Sequence, residues 1–239
     1  MALESLYREP ERPQTETAPP ALLFNDVFKL FRSGPVETVA LRGLDLRIDR
    51  GETVAVLGPS GSGKSTFLQL AAGMDQPSAG EVRAFGEPLV LLDEPTLARY
   101  RARTIAVVLQ SGNLWSSLTA LENVIASRQL AGLDGGRRQA RDTLAEFGLE
   151  RRADHYPSQL SGGEQQRVAV AAAAARRAAL VLADEPTGEL DEANERTVIE
   201  ALRRLRDEHE STVVTVTHSL QIAESADRVI ELRDGKVLS

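Results

Sequence analysis

Apolar residues recur along this chain with two different spacings, one typical of strands and one of helices. Residues 53–57 and 180–183 are continuous apolar runs, which are typical of strands buried on both faces of a parallel sheet. Residues 22–30 and 39–48 instead alternate apolar and polar side chains, as a strand with one exposed face does. Segments with helical spacing lie between the strands, over 65–72, 137–147, 161–177 and 192–209. The alternation predicts an α/β fold with a doubly wound, mainly parallel sheet.

Two stretches depart from this alternation. Residues 1–20 are polar, contain four prolines and lack periodicity, so we predict a disordered N-terminal tail. Residues 112–160 instead carry helical segments that three glycines separate, without an intervening strand pattern. We therefore expect a helical region within the α/β domain.

Length and composition exclude several classes of function but do not identify one. A chain of 239 residues, 42% of them apolar, is long enough for one sizeable domain with an inserted subdomain. Its net charge of −7 argues against a nucleic-acid partner, because binding phosphates along a duplex needs a basic face. The absence of cysteine excludes disulfides and thiolate chemistry. No run approaches the roughly 20 apolar residues that cross a bilayer, so we expect no direct membrane insertion.

A glycine-rich segment follows the buried strand 53–57 directly and matches the pattern G-x-x-x-x-G-K-[ST]. Its glycines allow successive backbone N–H groups to converge on phosphate oxygens. Lys64 supplies a charge to the β- and γ-phosphates, and the Ser65 hydroxyl can bind Mg²⁺. A turn that binds nothing is the alternative, but a strand before it and a helix after it favour a phosphate site. The segment consists of Gly58, Pro59, Ser60, Gly61, Ser62, Gly63, Lys64, Ser65 and Thr66.

Two adjacent carboxylates follow the other buried strand. Asp184 and Glu185 come after residues 180–183, where phosphoryl transfer would need a carboxylate for Mg²⁺ and a group that orients water. We assign the first role to Asp184 and the second to Glu185. The alternative is that the pair caps the next helix.

A near-copy of this segment occurs earlier in the chain. Residues 91–96 read Leu-Leu-Asp-Glu-Pro-Thr, against Leu-Ala-Asp-Glu-Pro-Thr at 182–187. The later copy continues into a helix and then a strand that ends near His218, whereas the earlier copy continues into arginines. We therefore interpret Asp93 and Glu94 as surface residues.

Residues 160–167, Leu-Ser-Gly-Gly-Glu-Gln-Gln-Arg, resemble the signature sequence of the ABC (ATP-binding cassette) ATPases. Ser161, Gly162 and Gly163 open a helix and so form a second anion site, although an ordinary helix cap is the alternative. The resemblance implies a P-loop NTPase (RecA-like) core with an N-terminal antiparallel β subdomain. It also implies an inserted α-helical subdomain at about 112–165 in a domain that spans 21–239. In this family the signature turn of one subunit closes on the ATP bound by the other.

The resemblance assigns further residues one by one. Gln110 is similar to the glutamine that contacts Mg²⁺ and water and senses the transmembrane partner. His218 resembles the histidine that contacts the γ-phosphate, and Gly188 to Asp191 resemble the loop that crosses the dimer interface. Phe31 lies near the position of the aromatic that stacks on adenine, with a core phenylalanine as the alternative.

Within the family, the chain looks like the lipoprotein-releasing and macrolide-exporter branch, with three departures. Ala171 to Ala175 are all alanine where an arginine is usual, which we expect to loosen the contacts of that helix. Glu189 replaces an asparagine, and Ser219 replaces the acidic residue that commonly follows the histidine. No departure removes a group that hydrolysis requires.

The resemblance implies an ATPase that uses ATP and Mg²⁺, with Lys64, Glu185 and His218 as its catalytic residues. The implied partners are a second ATPase subunit and separately encoded transmembrane permease subunits, at the cytoplasmic face of the cell membrane. One alternative is an ABC-type ATPase of DNA repair or translation, although such chains generally carry two cassettes or a long insertion. Another is a nucleotide sensor that does not turn over.

Overall fold

The computed structural model describes residues 18–34 and 36–238, which form two β-sheets and seven α-helices. Residues 1–17 of the predicted tail lie outside the described residues. The strands are β1 (Leu22–Ser33), β2 (Val36–Ile48), β3 (Thr53–Leu57), β4 (Ala79–Ala84), β5 (Glu87–Pro88), β6 (Ile105–Val108), β7 (Leu180–Asp184), β8 (Thr212–Val216), β9 (Arg228–Arg233) and β10 (Lys236–Leu238). The helices are α1 (Lys64–Ala71), α2 (Glu94–Thr104), α3 (Ala120–Leu130), α4 (Arg137–Glu146), α5 (Gly162–Ala175), α6 (Glu192–Asp207) and α7 (Leu220–Ser225).

The larger sheet has the order β10-β9-β3-β8-β7-β6 and is parallel except for the pairing of β10 with β9. Strand β7, which lies next to the edge strand β6, is buried on both faces. Leu180 and Leu182 enter the core that includes α1, while Val181 and Ala183 enter the core beneath α5 and α6. This two-sided burial explains the uninterrupted apolar run, and the predicted parallel sheet is confirmed.

The smaller sheet is antiparallel, with the order β2-β1-β4-β5. Strands β1 and β2 are longer than their alternating segments because they pair as far as Ser33 and Val36, with register shifts along the way. Phe24 lies fully inside and packs on Phe67 of α1, with 4.9 Å between the ring centroids. The predicted antiparallel N-terminal sheet is confirmed, and its packing on α1 fixes β1 and β2 beside the loop that precedes that helix.

Helices α3 and α4 occupy the region where the sequence predicts helices, and they pack against α5. The predicted loosening of α5 by its alanines is wrong. Ala171 and residues 173–175 are buried in the core that α5 shares with α3, α4 and α6. Small side chains allow neighbouring helices to approach closely, so the alanines form contacts instead of losing them. Within the described residues, no helix combines the length and apolar character that crossing a membrane requires.

Candidate active site

Four predicted site segments lie at one edge of the parallel sheet, because each follows the carboxyl end of a strand. The glycine-rich loop follows β3, His218 follows β8, Glu185 follows β7 and Gln110 follows β6. The strand order β3-β8-β7-β6 places Gln110 farthest from the loop. Ligands of open α/β sheets bind in the crevice outside these strand ends, so this edge is the candidate site.

The glycine-rich loop has backbone angles and clearances that only glycine satisfies. Gly61 and Gly63 have φ angles of 80° and 103°, in the left-handed region that side chains disfavour. A Cβ atom on Gly58 would lie 2.1 Å from the carbonyl oxygen of Leu232, and one on Gly63 would lie 2.6 Å from that of Ala40. The glycines therefore let the loop sit tightly between β2 and β9.

Polar groups of this loop are arranged for an anion. The Lys64 ammonium group folds back over the loop and donates hydrogen bonds to the carbonyl oxygens of Gly58, at 2.7 Å, and Pro59, at 3.1 Å. Among the described residues, no side chain caps the N-terminus of α1, and the buried Ser62 hydroxyl has no hydrogen-bond partner. A helix N-terminus with uncapped N–H groups beside a lysine fits a phosphate.

A cleft of about 460 Å³ opens over the loop, within the 300–1,000 Å³ that small-molecule sites occupy. Phe31 forms part of its wall and is 42% exposed, so the alternative of a core phenylalanine is wrong. Thr38, which pairs with Phe31 across β1 and β2, has no local sequence signal that predicts it here, because strand pairing and not local spacing brings it to the cleft. The cleft is lined by Phe31, Thr38, Val39, Ala40, Ser60, Gly61, Gly63, Lys64, Ser65, Thr66, Asp184 and Glu185.

Asp184 and Glu185 enter this cleft from the end of β7. Partial burial and the charge of Glu185 raise the pKa of Asp184, although the nearby Lys64 opposes this shift. Two carboxylates and the Ser65 hydroxyl therefore face a space that favours a cation. Mg²⁺ is usually held by one or two carboxylates together with substrate phosphates and water, so this donor set fits it. The alternative of a plain helix cap is not what the structure shows, because Asp191 caps α6.

Glu185 and His218 contact each other above the sheet. A carboxylate oxygen of Glu185 lies 2.9 Å from His218 Nδ1 and 3.3 Å from the His218 backbone nitrogen. The backbone N–H of Glu185 donates to the carbonyl oxygen of Val216 at 2.8 Å, which ties the end of β7 to that of β8. The residue has a φ of 46°, so its side chain turns away from the strand direction. The pair therefore joins Glu185, which lines the phosphate cleft, to His218, which lines a separate cavity.

The near-copy behaves as the sequence predicts. Asp93 and Glu94 are exposed, and the Asp93 carboxylate caps α2 by accepting a hydrogen bond from the Thr96 backbone at 3.0 Å. Hydrogen bonding by the Thr96 hydroxyl, and then by the Thr96 backbone, lowers the pKa of Asp93, in contrast to the raised pKa of Asp184. The same residue types thus have opposite environments in the two copies.

The signature turn lies apart from the phosphate cleft. The Ser161 hydroxyl accepts from the Glu164 backbone at 3.2 Å, and the Glu164 carboxylate accepts from the Ser161 backbone at 2.8 Å. Gly163 packs against α6, where a Cβ atom would lie 2.5 Å from Asn194 Oδ1. Of the described residues, none from 161–163 lines the phosphate cleft. The turn is a capped helix start whose exposed face is free for a second molecule.

Gln110 and Asp191 also have partners outside the phosphate cleft. Gln110 Nε2 donates to the carboxylate of Glu189 at 3.1 Å, and its backbone carbonyl accepts from Gln166 Nε2 at 2.6 Å. Asp191 accepts from the backbone of Asn194 at 2.9 Å and so caps α6. The structure therefore does not bring these two predicted binding residues to the cleft within one chain.

Comparisons with known proteins agree with this geometry. The family model described as ABC transporter matches residues 41–188. The ABC transporter ATP-binding protein YbbA of Escherichia coli (strain K12) is 45% identical over 206 residues, which are 85% of this chain and 90% of that protein. The macrolide export ATP-binding/permease protein MacB of Azoarcus sp. (strain BH72) is 41% identical over 232 residues, or 96% of this chain. The chain spans 35% of the length of that MacB protein.

A solved structure extends the agreement to the fold. The dimeric bacterial ABC transporter cassette MJ0796 matches with a TM-score of 0.84 and 40% identity, over 91% of this chain and 97% of that one. A second structure of that cassette, a dimer in a post-hydrolysis state with ADP and phosphate, matches with a TM-score of 0.84 and 39% identity. The resemblance to the macrolide-exporter branch is therefore confirmed, and the chain belongs to the ABC transporter family as one of its ATP-binding domains.

Proposed function

We propose that two copies of this chain hydrolyse ATP at two shared sites and thereby drive transmembrane permease subunits. One observation carries the proposal. The phosphate cleft and the signature turn are both preformed, yet they lie apart within one chain. A site that needs both must take them from two molecules, and a two-fold dimer supplies two such sites.

Each residue at the cleft has a role that its position supports. The loop N–H groups and Lys64 hold the β- and γ-phosphates, while Phe31 stacks on the base. Ser65 and Asp184 would hold Mg²⁺, which would supply positive charge against the charge that develops on the phosphates. Glu185 accepts a hydrogen bond from the attacking water and orients it. His218 Nδ1 lies 2.9 Å from a carboxylate oxygen of Glu185, so His218 is placed to hold that carboxylate and to contact the γ-phosphate.

The second copy completes the site. Ser161, Gly162 and Gly163 of the partner present the N-terminus of their helix to the γ-phosphate, which makes closure depend on ATP. Gln110 and Asp191 lie beside this turn, so we assign them to the closed dimer and not to the isolated cleft. Hydrolysis removes the bridging phosphate and lets the two copies separate.

We infer a membrane partner from the relatives. One relative is named an ATP-binding/permease protein and the other an ABC transporter ATP-binding protein. The chain therefore acts on transmembrane subunits at the cytoplasmic face of the cell membrane. The net charge of −7 supports the prediction that nucleic acid is not a partner of this chain.

Mixing two inactive variants tests the shared site. Lys64→Ala disables the phosphate loop, and Gly162→Asp places a carboxylate at the signature turn while leaving the Ser161 cap in place. A mixed dimer pairs the intact loop of one variant with the intact turn of the other. If exchange is random and the sites act independently, phosphate release recovers to about a quarter of the wild-type rate. A mixture as inactive as either variant alone would contradict the shared site.

A further inference from the structure

A single carboxylate connects the two chain segments that carry Glu185 and His218. One oxygen of Glu195, in the first turn of α6, accepts hydrogen bonds from the Ser219 hydroxyl at 2.5 Å and the Thr187 hydroxyl at 3.2 Å. Glu195 is half-buried, and it lines the same cavity as His218. Neither the sequence motifs nor the comparisons assign it a role.

Thr187 ties this carboxylate to the segment of Glu185. It lies two residues beyond Glu185 and is 5% exposed. Between them the chain turns tightly, because the Gly188 backbone donates to the carbonyl oxygen of Glu185 at 3.1 Å. The hydrogen bond that Thr187 donates to Glu195 therefore restrains the turn that gives Glu185 its left-handed backbone angle.

Ser219 ties the same carboxylate to the segment of His218, which it follows directly. Its backbone donates to Thr217 Oγ1 at 3.0 Å, and its hydroxyl caps α7 by accepting from Ile222 at 3.3 Å. The His218 side chain is 72% exposed, so packing does little to orient it. Its position depends on the backbone that Ser219 anchors.

We propose that Glu195 is a positioning residue, which holds the Glu185–His218 pair in the geometry for hydrolysis. Serine stands at 219, where an acidic residue commonly follows the histidine in ABC ATPases. Here the carboxylate comes from α6 and reaches the same place through the Ser219 hydroxyl. The inference rests on the proposed roles of Glu185 and His218.

Three variants distinguish a positioning role of Glu195 from an effect on folding. Glu195→Ala removes both hydrogen bonds, and we expect kcat to fall about 10-fold because small displacements at a reacting centre are costly. ATP affinity stays within about two-fold, since the phosphate loop makes no contact with Glu195. Glu195→Gln keeps an acceptor oxygen and retains most of the activity. Glu192→Ala is the matched control, because Glu192 lies in the same turn and pairs only with Arg196 on the surface of the described chain.

An NMR readout keeps the test independent of catalysis. Proton–nitrogen spectra of the nucleotide-free chain report the contact of His218 with Glu185, and His218→Ala assigns its signals among the three histidines. We expect these signals to move in Glu195→Ala and to stay in place in Glu192→Ala. Unmoved signals would overturn the positioning role whether or not the chain hydrolyses ATP.

Moving the carboxylate from position 195 to position 219 is the final test. Ser219→Asp alone brings a second carboxylate against Glu195 and should lower kcat. Combined with Glu195→Ala, it returns a single carboxylate to the same place and should restore at least half of the lost activity. A double variant no better than Glu195→Ala, or a Glu195→Ala enzyme with wild-type kcat, would overturn the proposal. Should Glu195→Ala fail to fold, Ser219→Ala, which removes the shorter of the two hydrogen bonds to Glu195, carries the same kcat and NMR comparison.

Discussion

The Gln110 side-chain amide donates a hydrogen bond to the carboxylate of Glu189, 3.1 Å away and 79 residues along the chain. Glu189 stands where this branch of the family usually has asparagine, so the bond depends on a departure from the pattern. Both side chains are exposed, and a Cβ atom on Gly188 would lie 3.4 Å from Gln110 Nε2. Gln110 must leave this partner before it can reach the phosphate cleft.

Glu189→Gln should therefore lower the ATP concentration needed for half-maximal hydrolysis. An exposed hydrogen bond to a charged group contributes about 0.5–1 kcal/mol, which corresponds to a two- to five-fold fall in KM. The variant also removes a negative charge from the predicted dimer interface, so its KM should depend less on salt than that of the wild type. Phosphate release at varied ATP and salt measures both effects.

Glu200→Gln is the control for that change, because Glu200 is an exposed carboxylate on α6 away from the cleft. It should leave KM and its salt dependence unchanged. An equal change in KM for the two variants would show that the net charge of the protein, and not the hydrogen bond from Gln110 to Glu189, sets the KM.

Glu185→Gln should bind ATP and form a stable dimer, but it should hydrolyse ATP at least about 100-fold more slowly. The amide cannot accept the proton of the attacking water, whereas the phosphate loop is untouched. Size-exclusion chromatography with ATP and a phosphate-release assay measure the two properties. Glu94→Gln, in the near-copy, is the matched control and should behave as the wild type. Normal turnover by Glu185→Gln would exclude its role with water.

Asp184→Asn should stabilise the nucleotide-free chain at neutral pH. Burial and the charge of Glu185 raise the pKa of Asp184, so its charged form is disfavoured in the folded state. Its stabilising contribution is complete below the usual pKa of about 3.9 and is lost as the pH rises through the raised value. The gain in melting temperature should thus be clear at pH 7 and shrink towards pH 4.

Thermal unfolding across this pH range, without nucleotide or Mg²⁺, measures the change. Asp142→Asn, on the exposed face of α4, is the control and should show no such pH-dependent gain. A lower melting temperature for Asp184→Asn at pH 7 would mean that the carboxylate stabilises the empty site.

Arg128→Met should lower the free energy of unfolding by about 2 kcal/mol. The Arg128 guanidinium group donates to the Ala175 carbonyl oxygen at 3.0 Å, at the end of α5, and to the Asp134 carboxylate at 2.8 Å. Methionine fills a similar volume but leaves the buried carbonyl without this donor. Urea unfolding measures the loss. Arg138→Met changes a side chain that is 92% exposed and should have no measurable effect.

The strands and the phosphate loop could be predicted because their causes are local. A strand buried on both faces needs an apolar run, as residues 180–183 show, and a loop that turns as Gly61 and Gly63 do needs glycine. The Ser161 cap has its partner three residues away, at Glu164. Such requirements can be read from neighbouring residues, and the family resemblance rests on the same segments.

Strand lengths and helix contacts could not be predicted in the same way. Strands β1 and β2 extend beyond their alternating segments because each supplies hydrogen-bond partners to the other. The alanines of α5 looked like a weakness in the sequence, but three neighbouring helices cover them. In both cases the deciding contact comes from another element.

By itself, the sequence determined the sheet type, the phosphate loop, the signature turn and the pair Asp184–Glu185, since each depends on backbone needs or residue types within a few positions. Only the tertiary structure decided that Gln110 contacts Glu189, and that Glu195 holds Thr187 and Ser219. These partners lie on different elements, and no periodicity records which side chains meet when the elements pack. The order of residues along the chain thus determined which groups carry the chemistry, and packing determined which side chains position those groups.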